Sequence, residues 1–134
     1  KDKLNNVKII TGTSDAKNFF ATEFATAVSE KFMMLCLDSK NKILKCSKIS
    51  EGSITATEVN IRKIAQEAMS VNAVSVILAH NHPSGSLCAS ENDRILTAKL
   101  CDLLEGMDVQ VIDHIIATHN DKYLSMSDSS LMPN

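Results

Sequence analysis

Three segments of the chain carry apolar residues at spacings of three or four positions, the pattern of one buried helix face. Ser14, Thr57 and Ser90 stand at the beginning of these segments, and Ser and Thr are favoured at helix N-termini. Gly106 follows the third segment as a C-terminal signal. The pattern therefore predicts helices over residues 14–28, 57–69 and 90–106.

Between these segments lie short stretches that are either continuously apolar or alternate apolar and polar residues, as β-strands do. Residues 38–41 are rich in turn-forming residue types and join two such stretches as a hairpin. The residues from Ser127 onward are polar, and we expect them to form a frayed tail. The predicted strands cover residues 7–11, 32–37, 43–49, 74–79, 109–112, 114–118 and 123–126.

The order of the predicted elements indicates the fold class. The chain has 134 residues, of which 44% are apolar, and both values are ordinary for one globular domain. No internal repeat or linker-like segment divides it. We therefore predict a single α/β domain of the α+β type over residues 1–134. A mixed sheet flanked by about three helices would form its ordered core over residues 10–126, followed by the tail.

Charge and composition exclude several classes of function. The chain has 14 basic and 16 acidic residues and a net charge of −2, so we expect neither a dense basic face nor autonomous DNA binding. Only 4% of the residues are aromatic and Trp is absent, which argues against a base-stacking surface. No apolar run approaches the roughly 18 residues of a membrane span, so we expect no membrane partner.

The cysteines and the first residue bear on the cellular context. The four cysteines show neither C-x-x-C spacing nor the density of a disulfide scaffold, which favours a reducing, cytoplasmic environment. No positively charged segment leads into an apolar stretch, so we expect no signal peptide. The chain begins with Lys1 and not with Met, and we expect it to be part of a longer protein.

The segment His-Asn-His-Pro-Ser-Gly, residues 80–85, follows a predicted strand and carries the candidate chemistry. Because side chains alternate along a strand, His80 and His82 point to the same side. Two imidazoles at the end of a buried strand can serve as zinc ligands. Asp93, one turn inside the third helix, could return to them as an oxygen ligand. A His-His-Asp set leaves the fourth tetrahedral position open for water, as catalytic zinc sites do.

Simpler roles compete with these assignments. Ser90 and Asp93 also form a helix-start pattern, in which Ser90 caps the helix and Asp93 favours its positive end. Two histidines with this spacing often bind no metal. The coincidence of a strand, both histidines, a turn with glycine and an acid in the next helix favours the metal site. Cys88 could approach the metal, although a free loop thiol is the simpler interpretation.

A metal-dependent hydrolase also needs a general base, and spacing alone does not select one among the sixteen acidic residues. Glu30 is attractive because it lies at the entry of the predicted strand 32–37. Without further information, a solvated acid at a helix end is the better-supported role for it. The candidates for the base are Glu23, Glu30, Glu51, Glu58, Glu67 and Glu91.

Several stretches of the sequence together resemble the RadC family. They are EKFMMLCLD at residues 30–38, GSI at 52–54, NAVSVILAHNHPSG at 72–85, SENDR at 90–94 and DHII at 113–116. RadC proteins belong to the JAB/MPN (JAMM) metalloprotease fold, which is cytidine-deaminase-like, and its signature is a distant Glu followed by HxHP, Ser and Asp. The resemblance covers about residues 10–126, and its HNHPSG core is highly specific.

The resemblance implies a role for each residue that matches the family signature. Glu30 matches the general acid/base that would hold the metal-bound water. Ser90 matches the serine that donates a hydrogen bond to the developing oxyanion. His114 is implied as a neighbour of the site, and an internally hydrogen-bonded histidine is an equally consistent role. The zinc ligands implied by the resemblance are His80, His82 and Asp93.

The function implied by the resemblance is zinc-dependent hydrolysis of peptide or isopeptide-like amides, with a protein or peptide-like substrate. The alternative is a non-catalytic, partner-binding module associated with DNA repair, for which RadC proteins are named. The charge balance argues against autonomous DNA binding by this chain. A metal-free interaction domain is a third hypothesis, and the presence of every implied ligand argues against it. Members of the fold often need partners to order the site, so a homo-oligomer or a regulatory partner is also implied.

Overall fold

Five strands and three helices form, in the order α1-β1-β2-α2-β3-α3-β4-β5, in the part of the chain that the computed structural model describes, which comprises residues 8–52, 59–83, 88–118 and 122–133. The strands are β1 (Lys31–Leu37), β2 (Ile43–Glu51), β3 (Ser75–His82), β4 (Gln110–Thr118) and β5 (Tyr123–Ser125). The helices are α1 (Thr13–Glu23), α2 (Ile61–Ser70) and α3 (Glu91–Glu105). The predicted α+β class, a mixed sheet with three helices, is confirmed.

The strands form one sheet in the order β2-β1-β3-β4-β5. β3 and β4 run parallel because α3 lies between them and returns the chain to the same edge. The other neighbouring strands are antiparallel. β3 therefore lies inside the sheet, and its His80 is opposite Phe32 of β1 and Ile116 of β4.

The two faces of the sheet bury separate sets of apolar side chains. The face that packs against α2 and α3, here called the α3 face, buries Phe32, Met34, Val76, Leu78, Ile64, Leu96 and Leu100. The opposite face, here called the α1 face, buries Met33, Leu35, Ile77, Ala79 and Phe20 of α1. Because β1 and β3 are covered on both faces, their sequences are almost continuously apolar.

α1 is shorter than predicted and spans residues 13–23 rather than 14–28. Phe20 is fully buried, whereas Val28 is 92% exposed. Val28 thus lies outside the core that Phe20 and Phe24 join, and tertiary packing supplies most of the stability of a short helix. The predicted extension to residue 28 is therefore wrong.

α3 begins at the predicted cap, whereas α2 begins later than the predicted residue 57 and spans Ile61–Ser70, because Asn60 caps it. The N-cap of α2 is Asn60, whose side chain accepts a hydrogen bond from the backbone N–H of Lys63. The predicted cap Thr57 lies outside the described residues. Ser90 is the N-cap of α3 and Gly106 its C-cap, as predicted. Among the described residues, no helix has the length and apolar character needed to cross a membrane.

Three strand predictions are corrected by the structure. β3 continues through His82 instead of ending at Ala79. The segments 109–112 and 114–118 form one strand, because Asp113 between them stays in the ladder with its carboxylate hydrogen-bonded. Of the predicted strand 7–11, the described residues retain an isolated bridge between Ile9 and Lys42.

The segment after β5 folds back on the sheet, so the prediction of a frayed tail from Ser127 is wrong. The backbone N–H of Ser127 donates to Oδ1 of Asp113 at 2.9 Å. The N–H of Leu131 donates to the carbonyl of Met126 at 2.7 Å. A buried carboxylate in β4 thus orders a segment whose composition is polar.

Candidate metal centre

His80 and His82 lie at the C-terminal end of β3, and the alternation along the strand directs both rings to the α3 face. Their Nε2 atoms are 2.9 Å apart. His80 is only 1% exposed, and its ring stacks on Phe32 of β1. His82 remains partly open to solvent. One imidazole is therefore fixed in the core while the other lies at the rim.

Asp93 reaches both histidines from the first turn of α3. Its Oδ1 is 3.0 Å from Nε2 of His80, and its Oδ2 is 3.4 Å from Nε2 of His82. The same carboxylate accepts a hydrogen bond from the N–H of Ser90 at 2.8 Å, and Oγ of Ser90 accepts one from the N–H of Asp93 at 3.0 Å. This is a complete capping box. The capping and ligand roles of Asp93 therefore coexist in one side chain.

Opposing effects set the charge of Asp93. Burial alone would raise the pKa of its carboxyl group. Hydrogen bonds from His80 and His82, the charge of His80 and the N–H of Ser90 act in the other direction, and together they lower the pKa well below its ordinary value. Asp93 is therefore ionised, which is the state that a metal ligand requires.

The geometry of the three side chains fits a zinc ion. Their candidate ligand atoms all lie within 4.8 Å of one another. A tetrahedral zinc ion with ligand distances of about 2.0–2.1 Å separates its ligands by about 3.3 Å. The observed separations are 2.9, 3.0 and 3.4 Å, so a zinc ion requires shifts of only a few tenths of an ångström. Two imidazole nitrogens and a carboxylate oxygen are also donors that zinc prefers.

A buried chain of hydrogen bonds lies behind His80. Nδ1 of His80 is 2.8 Å from Nε2 of His114, and Nδ1 of His114 is 2.6 Å from Oγ1 of Thr97. The hydroxyl of Thr97 donates to the backbone carbonyl of Asp93 at 2.7 Å. The chain thus connects His80 and Asp93, two members of the candidate metal site, through His114 of β4.

This chain assigns the protons on the imidazole rings. The single hydroxyl proton of Thr97 goes to the carbonyl of Asp93, so Oγ1 of Thr97 accepts from Nδ1–H of His114. Burial, with the charge of His80, lowers the pKa of His114 well below its ordinary value, so the ring is neutral and its Nε2 is an acceptor. His80 therefore keeps a proton on Nδ1, and its Nε2 is the nitrogen that faces Asp93 and that would offer its lone pair to a metal once it carries no proton.

Glu30 comes directly before β1 and is brought near the cluster by the pairing of β1 with β3. Phe32 is opposite His80 in this antiparallel register. Glu30 lies two residues before Phe32, beyond the end of this ladder, and its neighbours Ser29 and Lys31 are hydrogen-bonded to the side chain of Asn81. The carbonyl of Glu30 accepts a hydrogen bond from the N–H of Gly52 at 2.8 Å, which fixes the backbone there. The backbone on both sides of Glu30 is thus tied to the strand that carries the two histidines.

The other candidate bases are less suitably placed. Glu51 and Glu67 each form an ion pair with a lysine, with N–O distances of 2.7 Å. Glu23 ends α1, which packs on the opposite face of the sheet. Glu91 is exposed in the first turn of α3, and Glu58 lies outside the described residues. Of these candidates, Glu30 is the one whose flanking residues are hydrogen-bonded to the strand that carries both histidines.

Thr97 belongs to the site, although local sequence patterns do not predict it there. It is fully buried and lies four residues after Asp93, on the same face of α3. The available signal was a threonine on an otherwise apolar helix stripe that includes Leu96 and Leu100. Cys88 is exposed and does not join the metal-ligand group found among the described residues.

The sequence is similar to those of known proteins over most of its length. The RadC-like JAB domain family matches residues 10–131. A UPF0758 protein of Haemophilus influenzae (strain 86-028NP) is 37% identical over 123 residues, which are 92% of this chain and 56% of that protein. A UPF0758 protein of Aromatoleum aromaticum is 32% identical over 131 residues, covering 98% of this chain and 58% of the relative.

A third relative is UPF0758 protein YfjY of Escherichia coli (strain K12). It is 39% identical over 106 residues, which are 79% of this chain and 66% of YfjY. The chain thus spans slightly more than half the length of the relatives from Haemophilus and Aromatoleum, and a larger part of YfjY.

Proposed function

Because the chain belongs to the RadC-like JAB domain family, we propose that it is a zinc-dependent hydrolase of peptide or isopeptide-like amide bonds. The observation that carries this proposal is the convergence of His80, His82 and Asp93 at the end of β3. Structural zinc sites occupy all four tetrahedral positions with protein ligands, whereas the described residues here contribute three. A set of three ligands from the described residues, with water in the fourth position, would favour catalysis over a structural role.

A zinc ion held by these three residues would supply a Lewis acid and lower the pKa of a coordinated water to about 7. Glu30 accepts the proton of the attacking water and passes it to the leaving amine as the amide C–N bond breaks. Ser90, whose Oγ already accepts a hydrogen bond from Asp93, still has its own proton to donate. It donates to the amide oxygen as that oxygen gains negative charge.

Access to the cluster and the charge of the chain favour a peptide-like substrate over nucleic acid. His82 is partly exposed, so the cluster can be reached from solvent. The net charge of −2 does not supply the basic surface that phosphate backbones require. These features support a protein or peptide as the partner in the reaction.

Metal content tests the ligand assignment. We expect purified protein to contain close to one zinc per chain by elemental analysis, and the His80→Ala/His82→Ala variant to contain almost none. Glu30→Gln is the control, since it changes a neighbouring acid and no ligand, and it should retain zinc. Full zinc content in the double histidine variant would refute the ligand assignment.

Hydrolysis tests the role of Glu30. On a panel of quenched fluorescent peptides with standard and lysine-linked amide bonds, Glu30→Gln should reduce turnover by about 100-fold or more, in the range typical of a lost general base. Unchanged turnover would show that another group acts as the base. A zinc-loaded protein that cleaves nothing in the panel but retards DNA in a salt-sensitive manner would favour the DNA-associated alternative.

A further inference from the structure

Asn81 stands between the two histidines of β3, and its side chain points to the opposite face of the sheet. Its neighbours along the strand, Ala79 and Ile77, belong to the core of the α1 face. Asn81 is only 5% exposed. The donor and the acceptor of a buried amide need hydrogen-bond partners. Asn81 finds both partners in the segment around Glu30.

Both ends of the Asn81 amide bind the backbone next to Glu30. Its Oδ1 accepts a hydrogen bond from the N–H of Lys31 at 2.7 Å. Its Nδ2 donates to the carbonyl of Ser29 at 3.1 Å. The two bonded residues lie directly before and after Glu30, so one side chain holds both flanks of that residue.

The Asn81 amide acts where the backbone ladder stops. The backbone pairing of β1 with β3 ends at Phe32 and His80. Glu30 lies beyond this point, so the ladder between these two strands does not hold it. A carboxamide presents one acceptor and two donors, and can therefore replace a peptide unit that the ladder lacks. A leucine or a carboxylate at this position could not supply both the donor and the acceptor.

We propose that Asn81 is a positioning residue that ties the Glu30 segment to the metal-ligating strand and so sets the place of the Glu30 carboxylate relative to His80, His82 and Asp93. This inference rests on the proposed function in taking Glu30 as the base. The connection from Glu30 to the metal ligands is short and rigid, because Asn81 is covalently joined to both histidines. A displacement of about 1 Å between base and metal can cost about 100-fold in rate, so such a tether has a clear value.

The local contact can be tested without metal or substrate. In ¹⁵N-labelled, metal-free protein, Asn81→Ala should accelerate hydrogen exchange of the Lys31 amide by about tenfold or more, while residues 33–37 of β1 keep their protection. The matched control is Asn60→Ala, which also removes a side-chain acceptor of a backbone N–H, but at the α2 cap. It should leave the exchange of Lys31 unchanged.

Asn81→Asp separates the two hydrogen bonds and provides a milder variant. The carboxylate keeps an acceptor for Lys31 but lacks the donor to Ser29. We expect Lys31 to stay protected, while the carbonyl carbon resonance of Ser29 shifts relative to the wild type. Unchanged Lys31 exchange in the alanine variant, an equal acceleration along all of β1, or an unchanged Ser29 carbonyl in the aspartate variant would each overturn the proposal.

Zinc binding and turnover connect this contact to function. Asn81→Ala should bind zinc within about threefold of the wild type, because all three ligands remain. On a peptide that the wild type cleaves, it should lower kcat, and combining it with Glu30→Gln should cause no further loss. Strictly additive losses would overturn the proposal. If the wild type cleaves no peptide, the proposed function fails, and the exchange experiment still decides whether Asn81 holds the segment.

Discussion

Asp93 and Asp113 are buried carboxylates on opposite faces of one sheet, and their surroundings shift their acidity in opposite directions. Each residue is 4% exposed. The pKa of Asp93 is lowered, although its burial acts against this. Burial raises the pKa of Asp113, and three hydrogen bonds only partly offset that rise. Equal burial therefore does not decide the charge of a carboxylate, and the nature of its partners does.

The partners of the two carboxylates differ in charge. Asp113 accepts from the hydroxyl of Ser125 and from the N–H groups of His114 and Ser127, all of which are neutral. Asp93 faces the rings of His80 and His82, which can carry positive charge. Neutral donors replace lost water, whereas a cation adds Coulomb attraction that is strong in a buried site. Asp113 is thus suited to fasten β4 to the C-terminal turn, and Asp93 is suited to hold a cation.

We expect the largest difference between the two acids in the effect of their substitution on zinc affinity. Asp93→Asn removes an anionic ligand while preserving shape, and we expect it to weaken zinc binding by more than about 100-fold, beyond the range seen for residues behind a ligand. Asp113→Asn leaves all three ligands, so its affinity should stay within about threefold of the wild type. Competition with a chromogenic zinc chelator measures both variants. Equal losses would show that the two faces do not differ in metal binding.

Removing the hydroxyl that orients His114 should have an intermediate effect. Thr97→Val keeps the volume of the side chain but leaves Nδ1–H of His114 without its acceptor. We expect zinc affinity about tenfold lower, since His80 loses the partner chain that sets its tautomer. Thr13→Val is the control, because Thr13 bonds Asp128 beside α1. Wild-type affinity in Thr97→Val, measured by the same competition, would show that the chain does not orient His80.

In the metal-free protein, the contributions of Asp93 and Asp113 to the free energy of unfolding should change with pH in opposite directions. Asp93 has a folded-state pKa below its ordinary value of 3.8, so the stability it contributes is present above that value and is lost as the pH falls further. Asp113 has a raised pKa, so its contribution is present below 3.8 and is lost as the pH rises through its folded-state pKa. Urea denaturation across this acidic range measures both contributions.

The two contributions can be measured by comparing the free energy of unfolding of the wild type with those of Asp93→Asn and Asp113→Asn as a function of pH. Between about pH 2 and 5, the stability advantage of the wild type over Asp93→Asn should grow with pH and then level off, because the unfolded-state carboxyl is ionised above that range. Its advantage over Asp113→Asn should shrink over the same range. Parallel curves for the two variants would mean that the histidines do not influence Asp93 in the way described here.

The elements and candidate ligands that local patterns determine were predicted best. Strand alternation put His80 and His82 on one side, and the helix start put Asp93 in the first turn of α3. Predictions failed where the local structure depends on a contact with a residue distant in the chain. Val28 continues the apolar spacing of α1 but meets no core, and the polar Ser127 is ordered by Asp113. Glu30 was singled out only through the family resemblance.

The sequence by itself determined which residues could bind a metal, because short-range periodicity decides which side chains share one face of a strand or one turn of a helix. Only the tertiary structure decided how these groups are held and protonated. The connection from Thr97 through His114 to His80 joins α3, β4 and β3. The Asn81 amide joins β3 to the residues before β1. Such contacts depend on strand order and helix packing, which no local pattern encodes.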